Sequence, residues 1–161
     1  PDGQEIYFSD EIINDQDIEE YSKLALYDKK KLRGQKESKY DIDFRLNGIF
    51  IRDEVLYYRI KITNNSKINY EIDQLRFFIR DTKKVKRTAS QEIEITPIYI
   101  LNDIDKIEAE AENTFVFALP KFTIPEKKYL AIQVMEKNGG RHLEEHVKNT
   151  KLVQVTVLPK L

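Results

Sequence analysis

A chain of 161 residues with 40% hydrophobic and 11% aromatic content can bury one sizeable core, and its length points to a single domain with some appended material. A net charge of −1 excludes a global basic field that would draw the whole protein onto nucleic acid or an anionic membrane, and the lack of cysteine excludes disulfides, thiolate nucleophiles and cysteine metal sites. No apolar run approaches the roughly 20 residues that span a bilayer, and the start at Pro1, with no Met or leader, reads as that of an internal fragment.

Residues 1–39 form a charge-polarised arm. Its first twenty residues hold Asp2, Glu5, Asp10, Glu11, Asp15, Asp17, Glu19 and Glu20 and no Lys or Arg, whereas basic residues dominate positions 21–39. Asp17 with Glu20 resembles a capping box, Lys29, Lys30, Lys31 and Arg33 crowd the far end, and Gly34 suits the position after a helix. These signals predict one helix over about 17–33, with Ile18, Tyr21, Ala25 and Leu32 on its apolar stripe and Leu24 alongside, docked on a larger body or held by a partner. Residues 34–39 are polar and read as a linker.

From Tyr40 to the end the period changes to two. Phe44, Leu46, Ile49 and Ile51 predict a strand with a bulge at Asn47-Gly48. Arg52-Asp53-Glu54 makes a turn, and Leu56, Tyr58, Ile60 and Ile62 then alternate with Val55, Tyr57, Arg59 and Lys61. Further strands are predicted around Leu75–Ile79, Val85–Ala89, Glu92–Leu101, Thr114–Leu119, Tyr129–Glu136, Arg141–Val147 and Leu152–Leu158. Asn138-Gly139-Gly140 marks a hairpin, and Pro120 and Pro125 confine Phe122 and Ile124 to an edge or a connection between sheets. The predicted fold is mainly β: an immunoglobulin-like antiparallel β-sandwich of about eight or nine strands over residues 40–161, preceded by one N-terminal helix.

Five blocks carry a resemblance: Leu46-Asn-Gly-Ile-Phe-Ile51; Tyr70-Glu-Ile-Asp73 with Leu75-Arg-Phe-Phe-Ile-Arg-Asp81; Lys86-Arg-Thr-Ala-Ser-Gln-Glu92; Phe117-Ala-Leu-Pro-Lys-Phe-Thr-Ile-Pro125; and Glu136-Lys-Asn-Gly-Gly-Arg-His142. Their order and spacing, from about Phe44 to Leu158, resemble the TraN proteins of Bacteroides-type conjugative transposons. The resemblance implies a structural, non-enzymatic component of a conjugative, type IV secretion-like DNA transfer apparatus, on the periplasmic or outer-membrane side. Its implied partners are other conjugative transfer proteins, with a homo-oligomer as a further arrangement. It brings no catalytic residue, metal or cofactor.

Two local signals compete with that expectation. His142-Leu-Glu-Glu-His146 fits H-x-x-E-H, the zinc-peptidase spacing, which would give His142, Glu145 and His146 catalytic roles. That motif needs a helix. On a strand two residues four apart lie roughly 13 Å from each other, too far to share one ion, and the hairpin signal just upstream favours a strand. Lys83, Lys84, Lys86 and Arg87 form a basic cluster beside a turn, but with acidic neighbours and no stacking aromatic the run reads as a solvated edge or a protein contact, and direct nucleic-acid binding is not expected. Paired aspartates such as Asp41 and Asp43 are ordinary turn residues. Tyr57 and Phe78 lie on the strand faces opposite the predicted core, so they join the basic cluster as the candidate interaction surface. A generic ligand-binding sandwich remains the third reading.

Overall fold

The computed structural model describes residues 7–8, 14–82 and 92–161. In chain order these form β1 (Tyr7–Phe8), α1 (Asp15–Tyr27), β2 (Lys36–Lys39), β3 (Ile42–Arg52), β4 (Val55–Asn64), β5 (Tyr70–Asp81), β6 (Glu92–Ile95), β7 (Tyr99–Leu101), β8 (Lys106–Ile107), β9 (Glu112–Pro120), β10 (Phe122–Thr123), β11 (Lys128–Glu136), β12 (Leu143–Lys148), α2 (Asn149–Leu152) and β13 (Thr156–Val157). Strands β13-β3-β4-β9-β7 make one sheet, with β2 also on β3, and β12-β11-β5-β6 make the other, with β8 also on β5. Pairings within both are antiparallel except β13 with β3. The predicted mainly β sandwich is the observed fold; the described residues hold thirteen strands where eight or nine were expected, and four of them, β1, β8, β10 and β13, are two residues long.

Alternation along the strands builds the core between the sheets. Phe44, Leu46, Tyr58, Ile60 and Ile62 from one sheet meet Phe77, Ile79, Leu130, Ile132 and Leu143 from the other in a single buried cluster. Tyr58 meets the Phe77 ring edge-on at 5.8 Å, and Phe77 meets Phe117 at 5.1 Å. Such tilted contacts place a positive ring edge against a negative face.

The first sheet is covered a second time. Residues of β4 that would face solvent in a simple sandwich, Val55 and Tyr57, pack with Phe50, Val116 and Ala118 against Ile18, Tyr21 and Ala25 of α1. The order from outside to inside is therefore helix, sheet, sheet. This answers why Ile18, Tyr21 and Ala25 recur at helical spacing: they are the stripe that seals an apolar sheet face.

Several predicted boundaries are corrected. The helix spans 15–27, not 17–33, because Asn14 caps it: its Oδ1 accepts from the Gln16 amide at 2.8 Å, and the chain turns extended at Asp28. Leu32 leaves the helical stripe and enters the sandwich core, with its amide donating to Asn47 O at 2.9 Å. The supposed linker contains β2, paired with β3 from Lys36↔Arg45 to Lys39↔Ile42. Glu92–Leu101 is two strands in two sheets, since Pro97 cannot continue a ladder and the chain crosses over there. The last predicted strand, Leu152–Leu158, shortens to β13, since Leu152 at its start closes the short helix α2. Val85–Ala89 lies outside the described residues.

Other turn signals agree with their chemistry. Asp53 and Glu54 both hold positive φ, 49° and 66°, in the two-residue β3–β4 hairpin. The pairing shift expected at Asn47-Gly48 lies between Leu46 and Gly48. Among the described residues Phe122–Thr123 pairs with Tyr7–Phe8 alone, in the crossing between sheets that the two prolines predict.

Candidate interaction surfaces

Arg59 organises the helix-covered face. It points outward from β4 and is 2% exposed. Its Nη1 donates to Ala25 O at 2.7 Å and Asp28 O at 2.8 Å, and its Nη2 to Lys30 O at 2.6 Å and Asn47 O at 3.2 Å, while Nε donates to Asn47 Oδ1. All five guanidinium donors are used. The helix ends on this side chain: in its last turn Arg59 satisfies the carbonyl of Ala25, and just beyond it those of Asp28 and Lys30. The guanidinium stacks 4.9 Å from the Phe50 ring centre.

Tyr57, expected on an interaction surface, is fully buried on this face. Its ring lies 6.3 Å from that of Tyr21. The outward aromatic residue does mark a covered face, but what covers it is the chain's own helix.

The outer face of the second sheet carries no helix among the described residues. Cross-strand register sets Phe78 opposite Ala131 on β11 and Glu94 on β6. Phe78 is also corrected as an exposed contact residue: it is 5% exposed, because the guanidinium carbons of Arg76 and Arg80 lie over its ring at 4.9 and 5.1 Å. These arginines form the surface instead. Arg76 binds Glu94 with two hydrogen bonds, 3.0 and 2.8 Å, and Arg80 links Glu92 at 3.0 Å and Glu144 at 2.9 Å. The Arg76 hydrogen bonds hold the Glu94 carboxyl below its ordinary range. Next to this network the Tyr129 and His146 rings sit 4.6 Å apart. The result is a flat plate of alternating charges over an aromatic base. Lys83, Lys84, Lys86 and Arg87 belong to the connection between β5 and β6 and lie outside the described residues.

The H-x-x-E-H residues do not converge. Leu143–Lys148 is a strand, so Glu145 faces inward with Leu143 and Val147 while Glu144 and His146 face outward. His142 Nδ1 accepts from the Glu136 amide at 3.0 Å, and His146 Nε2 faces Glu144 Oε2 at 2.5 Å. Among the described residues no three His, Asp or Glu side chains are grouped to hold a metal ion.

Sequence reasoning reaches Glu145 only through that motif. It is 2% exposed, and neither carboxylate oxygen has a hydrogen-bond partner. Burial pushes its carboxyl up to about 8; Glu37 adds to the shift, and Arg45 reverses it only in part. Inward alternation on β12 is the signal that could have found it, since a carboxylate between two core positions is a residue in the wrong place for stability.

A family model described as Domain of unknown function (DUF4138) matches residues 16–157. No curated protein matches the chain.

Proposed function

Because this chain belongs to the DUF4138 family, we propose that it is a non-enzymatic structural component of a conjugative DNA transfer apparatus, acting through contacts with other transfer proteins. The family is found in conjugative transfer proteins of the TraN kind, which agrees with the five ordered blocks between Leu46 and His142. One observation carries the reading on the structural side: among the described residues α1 seals one of the two outer sheet faces, and the other presents the Arg76–Phe78–Arg80 plate. Stacked arginines are already ordered and partly desolvated, so a partner surface that meets them gives up less side-chain freedom than it would against free ones. The periplasmic or outer-membrane side is the place the resemblance implies for these contacts.

A photo-crosslinking residue at Glu94, on the plate, and another at Lys29, beyond the helix, test this in cells carrying the transfer system. Crosslinks from position 94 to another transfer protein are expected. A chain that crosslinks to none of them from either position, and purifies alone after co-expression with all of them, overturns the proposal.

A further inference from the structure

The basic run Lys29-Lys30-Lys31-Leu32-Arg33 begins after α1 has ended at Tyr27, and a helix dipole acts only within the last turn, so the dipole does not account for it. The run is instead fixed in place. Leu32 enters the sandwich core and its amide donates to Asn47 O at 2.9 Å, while Arg59 Nη2 donates to Lys30 O at 2.6 Å and Lys151 Nζ to Arg33 O at 3.0 Å. Three anchors therefore hold the backbone from Lys30 to Arg33 against β3 and α2.

These segments, with Gly48 and Thr156, enclose a pocket of about 400 Å³. Lys30, Lys31, Arg33 and Lys151 line it, and among the described residues no carboxylate does. None of the four cations is in an ion pair among the described residues. The whole chain carries 27 basic and 28 acidic residues, so no excess of cations forces them together here. The cleft between β2 and β12, by contrast, mixes Lys36 and Lys39 with Glu37, Glu144 and Glu145.

A fifth positive charge stands behind the wall. A Cβ on Gly48 would lie 3.0 Å from Arg59 Nη2, so the glycine brings the buried guanidinium up to the pocket lining. Every hydrogen-bond partner of Arg59 is an uncharged oxygen. Burial lowers its pKa, and the Asp28 charge offsets this only in part. A charge held out of water is little screened, and it adds to the repulsion among the four in front of it. An anion seated among them turns that repulsion into attraction.

We propose that this pocket binds a phosphate group, with Lys30, Lys31, Arg33 and Lys151 supplying N–H donors and Arg59 acting through its field alone. A phosphate carries about −1.5 to −2 charges at pH 7 and three strong acceptor oxygens. It answers several donors at once, where a single carboxylate leaves most of the positive charge uncompensated. The inference goes beyond the reading above and does not rest on it, since the pocket lies away from the Arg76–Phe78–Arg80 plate.

Amide NMR of the complete chain, titrated with sodium pyrophosphate at about 0.15 M salt, tests this. Saturable shifts are expected at residues 30–34, at Gly48 and at residues 151–156, with a dissociation constant below about 1 mM. Arg33→Gln combined with Lys151→Gln is expected to weaken binding at least about tenfold, with the remaining resonances in place to show an intact fold. Lys67→Gln, which alters a lysine paired with Glu110 elsewhere on the surface, is expected to leave it unchanged. Vesicles of phosphatidylcholine with phosphatidic acid identify the source. Co-sedimentation that pyrophosphate displaces assigns the phosphate to a lipid headgroup, and pyrophosphate binding without co-sedimentation assigns it to a soluble ligand; both support the site. No saturable shift up to about 10 mM pyrophosphate, shifts spread over lysines of the whole surface, or undiminished affinity in the double variant overturns the proposal. So does saturation by a peptide rich in Asp and Glu where pyrophosphate fails, which would make an acidic protein segment the occupant. Crosslinks at position 94 are independent of all these outcomes, so either proposal can fail alone.

Discussion

Arg59 Nη1 donates to the Ala25 carbonyl at 2.7 Å across 34 positions of sequence, so the C-terminus of α1 is closed by a residue of the sheet it covers. A helix of 13 residues with a moderate stripe is marginal alone. Docking and capping act on it together. Arg59→Met keeps the stem over Phe50 and removes all five donors, leaving buried carbonyls unpaired. Urea unfolding is expected to show a loss of about 2–4 kcal/mol, with amide exchange in α1 rising more than in β4. Arg59→Lys recovers little, since one ammonium cannot reach carbonyls on both sides of the fork. Equal exchange rates in α1 of the variant and the parent protein would show that the cap is not what holds the helix.

How far this arrangement is legible in the sequence depends on which atoms carry it. The β3–β4 hairpin, the bulge at Gly48 and the β11–β12 hairpin are readable because alternation and turn chemistry are local. The ends of α1 are not. Asp17 and Gly34 are good capping residues, but the cap in use is Asn14 at one end and a distant arginine at the other, and no local pattern encodes a partner 34 residues away. Arg59 in β4 reads as a solvent-facing residue between Tyr57 and Lys61 until the helix is placed on it. Residues 92–101 alternate well enough to read as one strand, and only the loss of a donor at Pro97 hints that they serve two sheets. For the candidate surface, sequence locates the outward aromatics but does not say what lies over them: α1 on Tyr57, two guanidinium groups on Phe78.

Tyr57 separates a core residue from a contact residue. Its hydroxyl is buried without a hydrogen-bond partner, and burial with the nearby Tyr21 raises its pKa far above the ordinary range. Tyr57→Phe removes an unsatisfied polar atom and keeps the ring, so stability is expected to stay level or rise by up to about 1 kcal/mol. Tyr57→Ala opens a cavity between α1 and β4 and is expected to cost about 3–5 kcal/mol. Thermal or urea melts of the two variants decide it. A Phe variant that loses as much as the Ala variant means the hydroxyl has a role the fold does not reveal.

Gly48 is required by space. A Cβ there would lie 2.6 Å from a Phe50 ring carbon and 3.0 Å from Arg59 Nη2. Both side chains are packed, and the arginine is held by its five hydrogen bonds, so neither can swing aside cheaply. Gly48→Ala is expected to destabilise by about 1–3 kcal/mol and to weaken the helix contact through Arg59. Made together with Arg59→Met, the two losses should fall short of additive, which a double-mutant cycle measures.

Glu145 gives the molecule a pH dependence of unusual sign for a carboxylate. Its native carboxyl is raised to about 8 from 4.5, so between these values the native state holds a proton that the unfolded state has lost. The contribution is fully present below pH 4.5 and is lost as pH rises through 8, with a slope approaching about 1.4 kcal/mol per pH unit. Glu94, Glu136 and Glu144 are shifted downward by their arginine and histidine partners. Their contributions disappear only in acid, as pH falls below the ordinary carboxylate range, and do not overlap this window. Urea unfolding from pH 5 to 8 is therefore expected to show falling stability in the parent chain and a flatter profile in Glu145→Gln, with the two curves crossing so that the variant is the more stable at pH 8. Parallel profiles would mean that Glu145 is ionised in the folded chain at neutral pH. A nearby cation would then be holding it ionised, and Arg45, whose charge already favours ionisation, is the group placed to do so.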